Sequence, residues 1–192
     1  MAAGSAVEYV NRALTLLGED TVTSLTDDES VESSIASTIY DSTLEAMLTE
    51  HPWRFAMKEG LLSQDATYTR ATWQGWQYRY AVPADSLAFY STLQVAGDFE
   101  ILGEFIYSNQ NELAGRWTYK PAPEKFPPHF QRALMFRLAG DLAIAITEDD
   151  RKVQAFGRQA RDETSRAHAI EMQQQPAMRL DDDGGLLSQR WG

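Results

Sequence analysis

The sequence predicts an α+β protein, in which an antiparallel helical bundle carries a small antiparallel β-sheet insertion and an extended C-terminal tail. Three observations predict this class. Apolar residues recur at three- or four-residue spacing towards both ends of the chain, whereas residues 53–120 hold short alternating runs rich in aromatic side chains. The segment after Pro176 has too few apolar residues to fold alone. We therefore divide the chain into a bundle (1–52 and 121–175), a β-rich insertion (53–120) and a docking tail (176–192).

Composition narrows the function classes. The 192 residues are 43% hydrophobic, and no run approaches the ~20 apolar residues that a membrane helix needs. There are no cysteines, which excludes disulfides, thiolate catalysis and cysteine-based metal sites. The start of the chain lacks a basic region followed by an apolar core, so we expect no secretory signal and a cytoplasmic location. The net charge of −11 argues against tight nucleic-acid binding.

Two helices are predicted in the first quarter of the chain. Ser5 and Glu8 have the spacing of a capping box and Gly18 is a natural terminator, so the first helix should span Ala6–Leu17. The second should span residues 30–51 and end before Pro52. Its expected apolar stripe is Val31, Ile35, Ile39, Leu44 and Leu48. We expect this second helix to be the central one and to fold back antiparallel on the first.

Strands are predicted between Trp53 and Lys120. Each candidate is short and rich in β-formers, and turn-forming residues separate them. The candidates are Trp76–Tyr80, Phe89–Val95, Phe99–Leu102, Phe105–Tyr107 and Trp117–Tyr119, with Ala114-Gly115 as one of the turns. They are expected to form one small antiparallel sheet.

Two more helices follow the proline-rich segment that ends at Pro128. The third is a core helix with apolar residues from Phe130 to Ile146, and Gly140 within it suggests a close helix contact. The fourth should run over residues 149–174. Its weaker apolar stripe is Val153, Phe156, Ala160, Ala167 and Ile170, and the opposite, charged face is expected to hold Arg151, Lys152, Arg158, Arg161, Arg166, Asp162, Glu163 and Glu171.

Two groups of residues are candidates for partner binding. In the tail, Leu186, Leu187, Arg190 and Trp191 lie on an acidic segment whose composition is typical of a peptide that orders on a partner. A frayed terminus is the alternative for this segment. On the fourth helix, Arg151, Arg158 and Arg161 group positive charge in an acidic protein and are expected at a subunit or portal boundary, with a solvated face as the alternative.

Taken together, several short motifs resemble the tail tubular protein A family, the head-to-tail adaptors, or gatekeepers, of short-tailed bacteriophages. The resemblance covers nearly the whole chain, and Trp191-Gly192 extends beyond its last motif. The motifs are Leu17-Gly18-Glu19 with Val22 and Ser24-Leu25, Trp53-Arg54-Phe55, Pro83-Ala84-Asp85, Pro127-Pro128-His129-Phe130, and Gly184-Gly185-Leu186-Leu187 with Arg190.

The resemblance implies a structural protein of the virion, assembled in the host cytoplasm. Its expected partners are further copies of itself in a twelve-fold ring, the portal protein and a nozzle protein similar to tail tubular protein B. Double-stranded DNA is expected to pass through the ring during ejection without specific binding. No membrane, cofactor or metal is implied.

The residues give less support to an enzymatic function. His51, His129 and His168 are far apart in sequence and lack metal-ligand spacing, so each is expected to be a capping or surface residue. The alternative kept open is a carbohydrate-acting hydrolase associated with a phage tail. It depends on the acidic clusters 27–29, 148–150 and 181–183 and on the aromatic residues Trp73, Trp76 and Tyr78. We expect no catalytic residues and no enzymatic activity.

Overall fold

The part of the chain that the structure describes contains four α-helices and two three-stranded antiparallel sheets, which confirms the predicted α+β class. A computed structural model describes residues 5–25, 31–70, 75–93, 99–147 and 149–173. The helices are α1 (Ala6–Leu17), α2 (Val31–Glu50), α3 (Pro128–Ile146) and α4 (Asp150–Gln173), with short 3-10 helices at Arg54–Ala56 and Pro123–Lys125.

Helix α1 begins and ends where its local signals place it. The Ser5 hydroxyl accepts a hydrogen bond from the Glu8 backbone N–H at 3.2 Å, and Gly18 adopts the left-handed conformation with φ of 81°. The Glu8 carboxylate is paired with Arg12 one turn later. The Ser5 half of the predicted capping box and the Gly18 terminator are therefore confirmed, whereas the Glu8 carboxylate is directed to Arg12.

Helix α3, rather than α2, is the central helix of the bundle, so the expectation for α2 was wrong. α3 packs against each of the other three helices, whereas α1 and α2 pack more extensively on α3 than on each other. Its largest buried side chains are Phe130, Leu134, Leu138 and Leu142. α3 holds the central place because it presents apolar residues around most of its circumference, which lets three neighbours bury their faces on it.

The buried stripe of α2 also differs from the predicted one. Ile35 and Ile39 are only partly buried, and the buried positions are Ser33, Ala36, Tyr40, Thr43, Leu44, Met47 and Leu48. Two of the buried polar groups are paired, since Ser33 donates to the Ser24 carbonyl at 2.5 Å and Thr43 donates to Asp141 at 2.7 Å. These partners allow polar residues on the packed face, which residue type alone did not indicate.

The described residues of the β region form two sheets where one was expected. Their strands are β1 (Met57–Leu61), β2 (Tyr78–Ala81), β3 (Ala88–Thr92), β4 (Phe99–Leu102), β5 (Phe105–Ser108) and β6 (Ala114–Thr118). The orders are β1-β6-β3 and β2-β5-β4, and all pairs are antiparallel. Strand β1 was not predicted, and Ala114-Gly115 begins β6 instead of forming a turn. Both differences arise because glycines interrupt the β-former pattern of these strands.

The two sheets share a hydrophobic core that is separate from the core of the bundle. Its buried members come from both sheets and the segments beside them: Leu62, Tyr80, Ile106, Leu113 and Trp117. The Phe89 ring of β3 packs edge-on against Phe99 of β4, with centroids 5.7 Å apart. The β region therefore has a small core of its own.

The bundle and the β region are joined through Trp53 and Ala56. Both are fully buried in the helical core, although the sequence-based division places them in the insertion. The Trp53 indole N–H donates to the Met47 carbonyl at 2.7 Å, and the Ala56 carbonyl accepts from the Tyr119 N–H at 2.9 Å. Both chain connections to the β region therefore start from the helical core.

Candidate functional site

The tail residues predicted to bind partners lie outside the described residues. These are Leu186, Leu187, Arg190 and Trp191. The acidic groups 27–29, 148 and 181–183 lie outside them as well, as does Trp73. The predicted partner-binding residues that the structure describes are Arg151, Arg158 and Arg161, on the exposed face of α4.

Helix α4 begins at a capped turn. The side chain of Asp149 accepts hydrogen bonds from the backbone N–H groups of Arg151 at 2.9 Å and Lys152 at 3.4 Å. A carboxylate at this position satisfies N–H groups that have no partner inside the helix, and it complements the helix dipole. Asp149 thus has a structural role as a helix cap.

The three predicted arginines of α4 are all exposed. Arg151 and Arg158 are seven residues apart and so lie on the same side of the helix. Arg161 flanks them, and its guanidinium donates to the Gly157 carbonyl one turn earlier at 3.1 Å. The outward side of α4 therefore presents three exposed arginines, with the exposed carboxylates of Asp150 and Asp162 beside them.

The other two bases of α4 have partners within the chain. The Lys152 ammonium donates to the Leu17 carbonyl at 2.9 Å, at the C-terminal end of α1. Arg166 donates to Glu163 at 3.1 Å. Lys152 therefore joins α4 to the end of α1, whereas the pair of Arg166 with Glu163 lies within α4 itself.

Glu163 was expected on the solvated face of α4, and this was wrong. It is only 3% exposed, and its carboxylate accepts two hydrogen bonds from Arg132 of α3, at 2.7 and 3.0 Å. Gln159 donates to the same carboxylate at 3.1 Å. The hydrogen bonds from Arg132, helped by the charge of Arg166, hold the pKa of Glu163 below its ordinary value.

Glu171 was also expected on the solvated face and is buried, with 4% exposure. One carboxylate oxygen accepts from the Arg54 backbone N–H at 2.7 Å. The other lies 3.0 Å from Nε2 of His129, which donates to it when that nitrogen carries the hydrogen. Glu171 therefore links the end of α4 to the start of α3 and to the segment that enters the β region.

Position along the helix was the signal that could have placed both acids. Ala160, Glu163, Ala167 and Glu171 follow one another at three or four residues, so they share the apolar side of α4. The charge of the two glutamates favours the solvated face, whereas their spacing favours the packed face. They are buried, as the spacing indicates, because Arg132 and His129 of α3 supply polar partners for their carboxylates.

The three histidines meet around Trp53 instead of lying apart at the surface, so that expectation was wrong. The rings of His51 and His168 stack with centroids 4.3 Å apart and planes 22° from parallel. Trp53 lies 5.0 Å from His51, 4.9 Å from His168 and 6.3 Å from His129. We call these four residues the histidine cluster. No local sequence pattern predicts the cluster, because its members come from distant parts of the chain.

One of the aromatic residues on which the hydrolase alternative depends has a hydrogen-bond partner within the chain. The Trp76 indole N–H donates to Glu100 at 2.7 Å. Among residues 5–25, 31–70, 75–93, 99–147 and 149–173, no three histidine or acidic side chains are grouped so as to hold a metal ion.

A shallow groove along α1 is lined by Ser5, Val7, Glu8, Asn11, Arg12, Thr15, Leu16 and Met135.

Neither a scan against protein-family models nor a search of curated proteins found a match to this chain. Within the described part of the chain, no helix combines the length and the hydrophobicity needed to cross a membrane.

Proposed function

We propose that this chain is a structural head-to-tail adaptor of a short-tailed phage, which forms a ring between the portal and the tail nozzle. The observation that carries the proposal is the row of exposed arginines on α4, in a chain whose net charge is −11. Arg151, Arg158 and Arg161 concentrate positive charge on a single rigid helix. Such a face suits an acidic protein partner, because opposite charges steer two surfaces together.

The packing of α4 supports this role. Glu163 and Glu171 fix the inner side of the helix against α3, so the outer arginines stand on a support that is ordered before any partner arrives. A surface that is already ordered loses less conformational entropy on binding. We assign this face to contacts with the portal or with a neighbouring copy in the ring.

The resemblance to tail tubular protein A supplies the identity of the partners. They are the portal protein, a nozzle protein and further copies of the chain in a twelve-fold ring. The acidic balance fits a conduit for double-stranded DNA, since a surface rich in carboxylates forms few lasting contacts with phosphates. The protein then belongs to the tail connector of the virion, and to the host cytoplasm during assembly.

We propose that this function involves no chemical step. Asp149 is accounted for as a helix cap, and Trp76 as a hydrogen-bond donor to Glu100. No specific observation favours saccharide hydrolysis over these roles. Saccharide hydrolysis is therefore one of the results that would contradict the proposal.

The test removes residues 177–192 and mixes the shortened chain with purified portal rings. We expect the melting temperature to stay unchanged, because the buried cores lie within residues 9–167, and stable assembly on the portal to be lost. Electron microscopy and light scattering measure the assembly. A full-length variant with Leu186→Ala, Leu187→Ala and Trp191→Ala separates loss of the apolar side chains from loss of chain length.

Two results would contradict the proposal. One is portal binding by the shortened chain that is as tight as that of the full chain. The other is saccharide turnover by the purified protein that disappears when one of the acidic clusters is neutralised.

A further inference from the structure

The stacked pair of His51 and His168 joins two separate parts of the bundle. His51 directly follows α2, whereas His168 lies in the last two turns of α4. Both rings also contact Trp53, which is fully buried and packs on Phe130 of α3 with centroids 4.9 Å apart. Contact between the end of α4 and the end of α2 therefore runs through two imidazole rings.

The surroundings of the stacked pair favour the neutral form of both rings. Nε2 of His168 is buried and has no hydrogen-bond partner among the described residues, so a proton added there would meet no acceptor. Two protonated rings at a separation of 4.3 Å would also repel each other. Burial lowers the pKa of both histidines, and for His51 the neighbouring His168 lowers the pKa further.

Charged groups near the pair come from three helices. Glu50 at the end of α2 is close enough to favour a charge on His168, but its carboxylate also accepts from Arg137 of α3 at 3.2 Å. Glu171 of α4 favours a charge on His51, and it is already bonded to the Arg54 N–H and faces His129 of α3. Because each carboxylate already has another partner, it offsets only part of the cost of a charge on the neighbouring ring.

We propose that His51 and His168 form a proton-operated latch, which holds the end of α4 against the α2–Trp53 junction while both rings are neutral and releases it when both are protonated. This inference does not rest on the adaptor function. Because folded-state pKa values lie below the ordinary value of about 6.5, the latch is fully closed above that pH. Its stability declines as the pH falls from about 6.5 towards the lowered values of the folded state.

The experiment is hydrogen–deuterium exchange of the full chain between pH 7.5 and 5.0, with rates corrected for the intrinsic effect of pH. We expect protection of residues 164–173 to fall, by about tenfold per pH unit for each proton by which the open and closed states differ. Helix α1 contains no histidine and serves as the internal reference. Equal pH dependence of α1 and the end of α4 would overturn the latch.

Variants identify the groups responsible. We expect the double variant His51→Gln with His168→Gln to keep its protection at pH 5.0. His129→Gln is the matched control, since it alters the histidine cluster outside the stacked pair and should leave the pH dependence in place. An unchanged pH dependence in the double variant would overturn the assignment.

A measurement on the unmodified chain covers the case in which the double variant does not fold. Nuclear magnetic resonance titration follows the ring protons of all three histidines. We expect the midpoints of His51 and His168 to lie below about 6.5, the ordinary histidine value. Midpoints at or above that value for both rings would also rule out the latch.

Discussion

Two glycines at packed contacts differ in the space that surrounds them. A Cβ atom at Gly140 of α3 would lie 3.7 Å from the backbone carbonyl carbon and oxygen of Phe156 in α4, which is ordinary van der Waals contact. A Cβ atom at Gly115 of β6 would overlap the ring of Phe89. The predicted close helix contact at Gly140 is therefore confirmed, and it still has room for a methyl group.

We predict opposite effects of alanine at these two positions. Gly140→Ala should raise the free energy of unfolding by about 1 kcal/mol, because alanine has the higher helix propensity and meets no obstruction. Gly115→Ala should lower it by about 1–3 kcal/mol, because Phe89 must move. Denaturant unfolding measures both. A loss of stability in Gly140→Ala would show that α3 and α4 approach more closely than the structure indicates.

Helix α4 combines a largely apolar packed side, which holds two buried carboxylates, with an exposed side that carries three arginines. The packed side depends on Glu163, whose bonds come from Arg132, Gln159 and Arg166. The exposed side carries Arg151, Arg158 and Arg161. Because different residues serve the two sides, charge on the outer side can be changed without breaking the bonds of Glu163.

We predict that Arg158→Glu combined with Arg161→Glu slows association with the portal by about tenfold or more at low salt, since electrostatic steering is reversed. The melting temperature should not fall, because both side chains are exposed. Stopped-flow mixing measures the rate. The control is Arg12→Glu with Lys125→Glu, an equal change of charge at exposed positions outside α4. Equal association rates for both double variants would indicate that the exposed side of α4 is an ordinary solvated face.

The two ends of the β region lie side by side in the molecule. Met57 of β1 and Thr118 of β6 are cross-strand partners, and such Cα atoms are about 4.5–5.5 Å apart in antiparallel pairs. Trp53 and Ala56, by contrast, belong to the helical core. A deletion meant to leave the bundle intact must therefore begin after Met57.

We predict that replacing residues 58–117 by an Asn-Gly turn leaves a folded bundle that binds the portal and no longer attaches the nozzle. The two-residue turn matches the geometry of a paired strand end. Circular dichroism checks the helices, and electron microscopy scores the two attachments. Loss of portal binding in a variant that remains helical would contradict the division of the two surfaces.

The features that the sequence predicted correctly depend on short stretches of chain. The cap at Ser5, the left-handed Gly18 and the start of α3 at Pro128 are local, because a helix end involves backbone groups within a few residues. The α+β class follows from the change of hydrophobic period, which is a local property too. Of the candidate site, the exposure of Arg151, Arg158 and Arg161 was predictable in the same way.

Features that depend on distant neighbours were decided only by the tertiary structure. The spacing along α4 places Glu163 and Glu171 on its packed side, but only the tertiary structure supplies Arg132 and His129, from another helix, to replace the water that the carboxylates lose. The histidine cluster exists because the ends of α2 and α4 meet at Trp53. Desolvation and pairing depend on what packs against a residue, and periodicity within one segment carries no information about a partner on another helix.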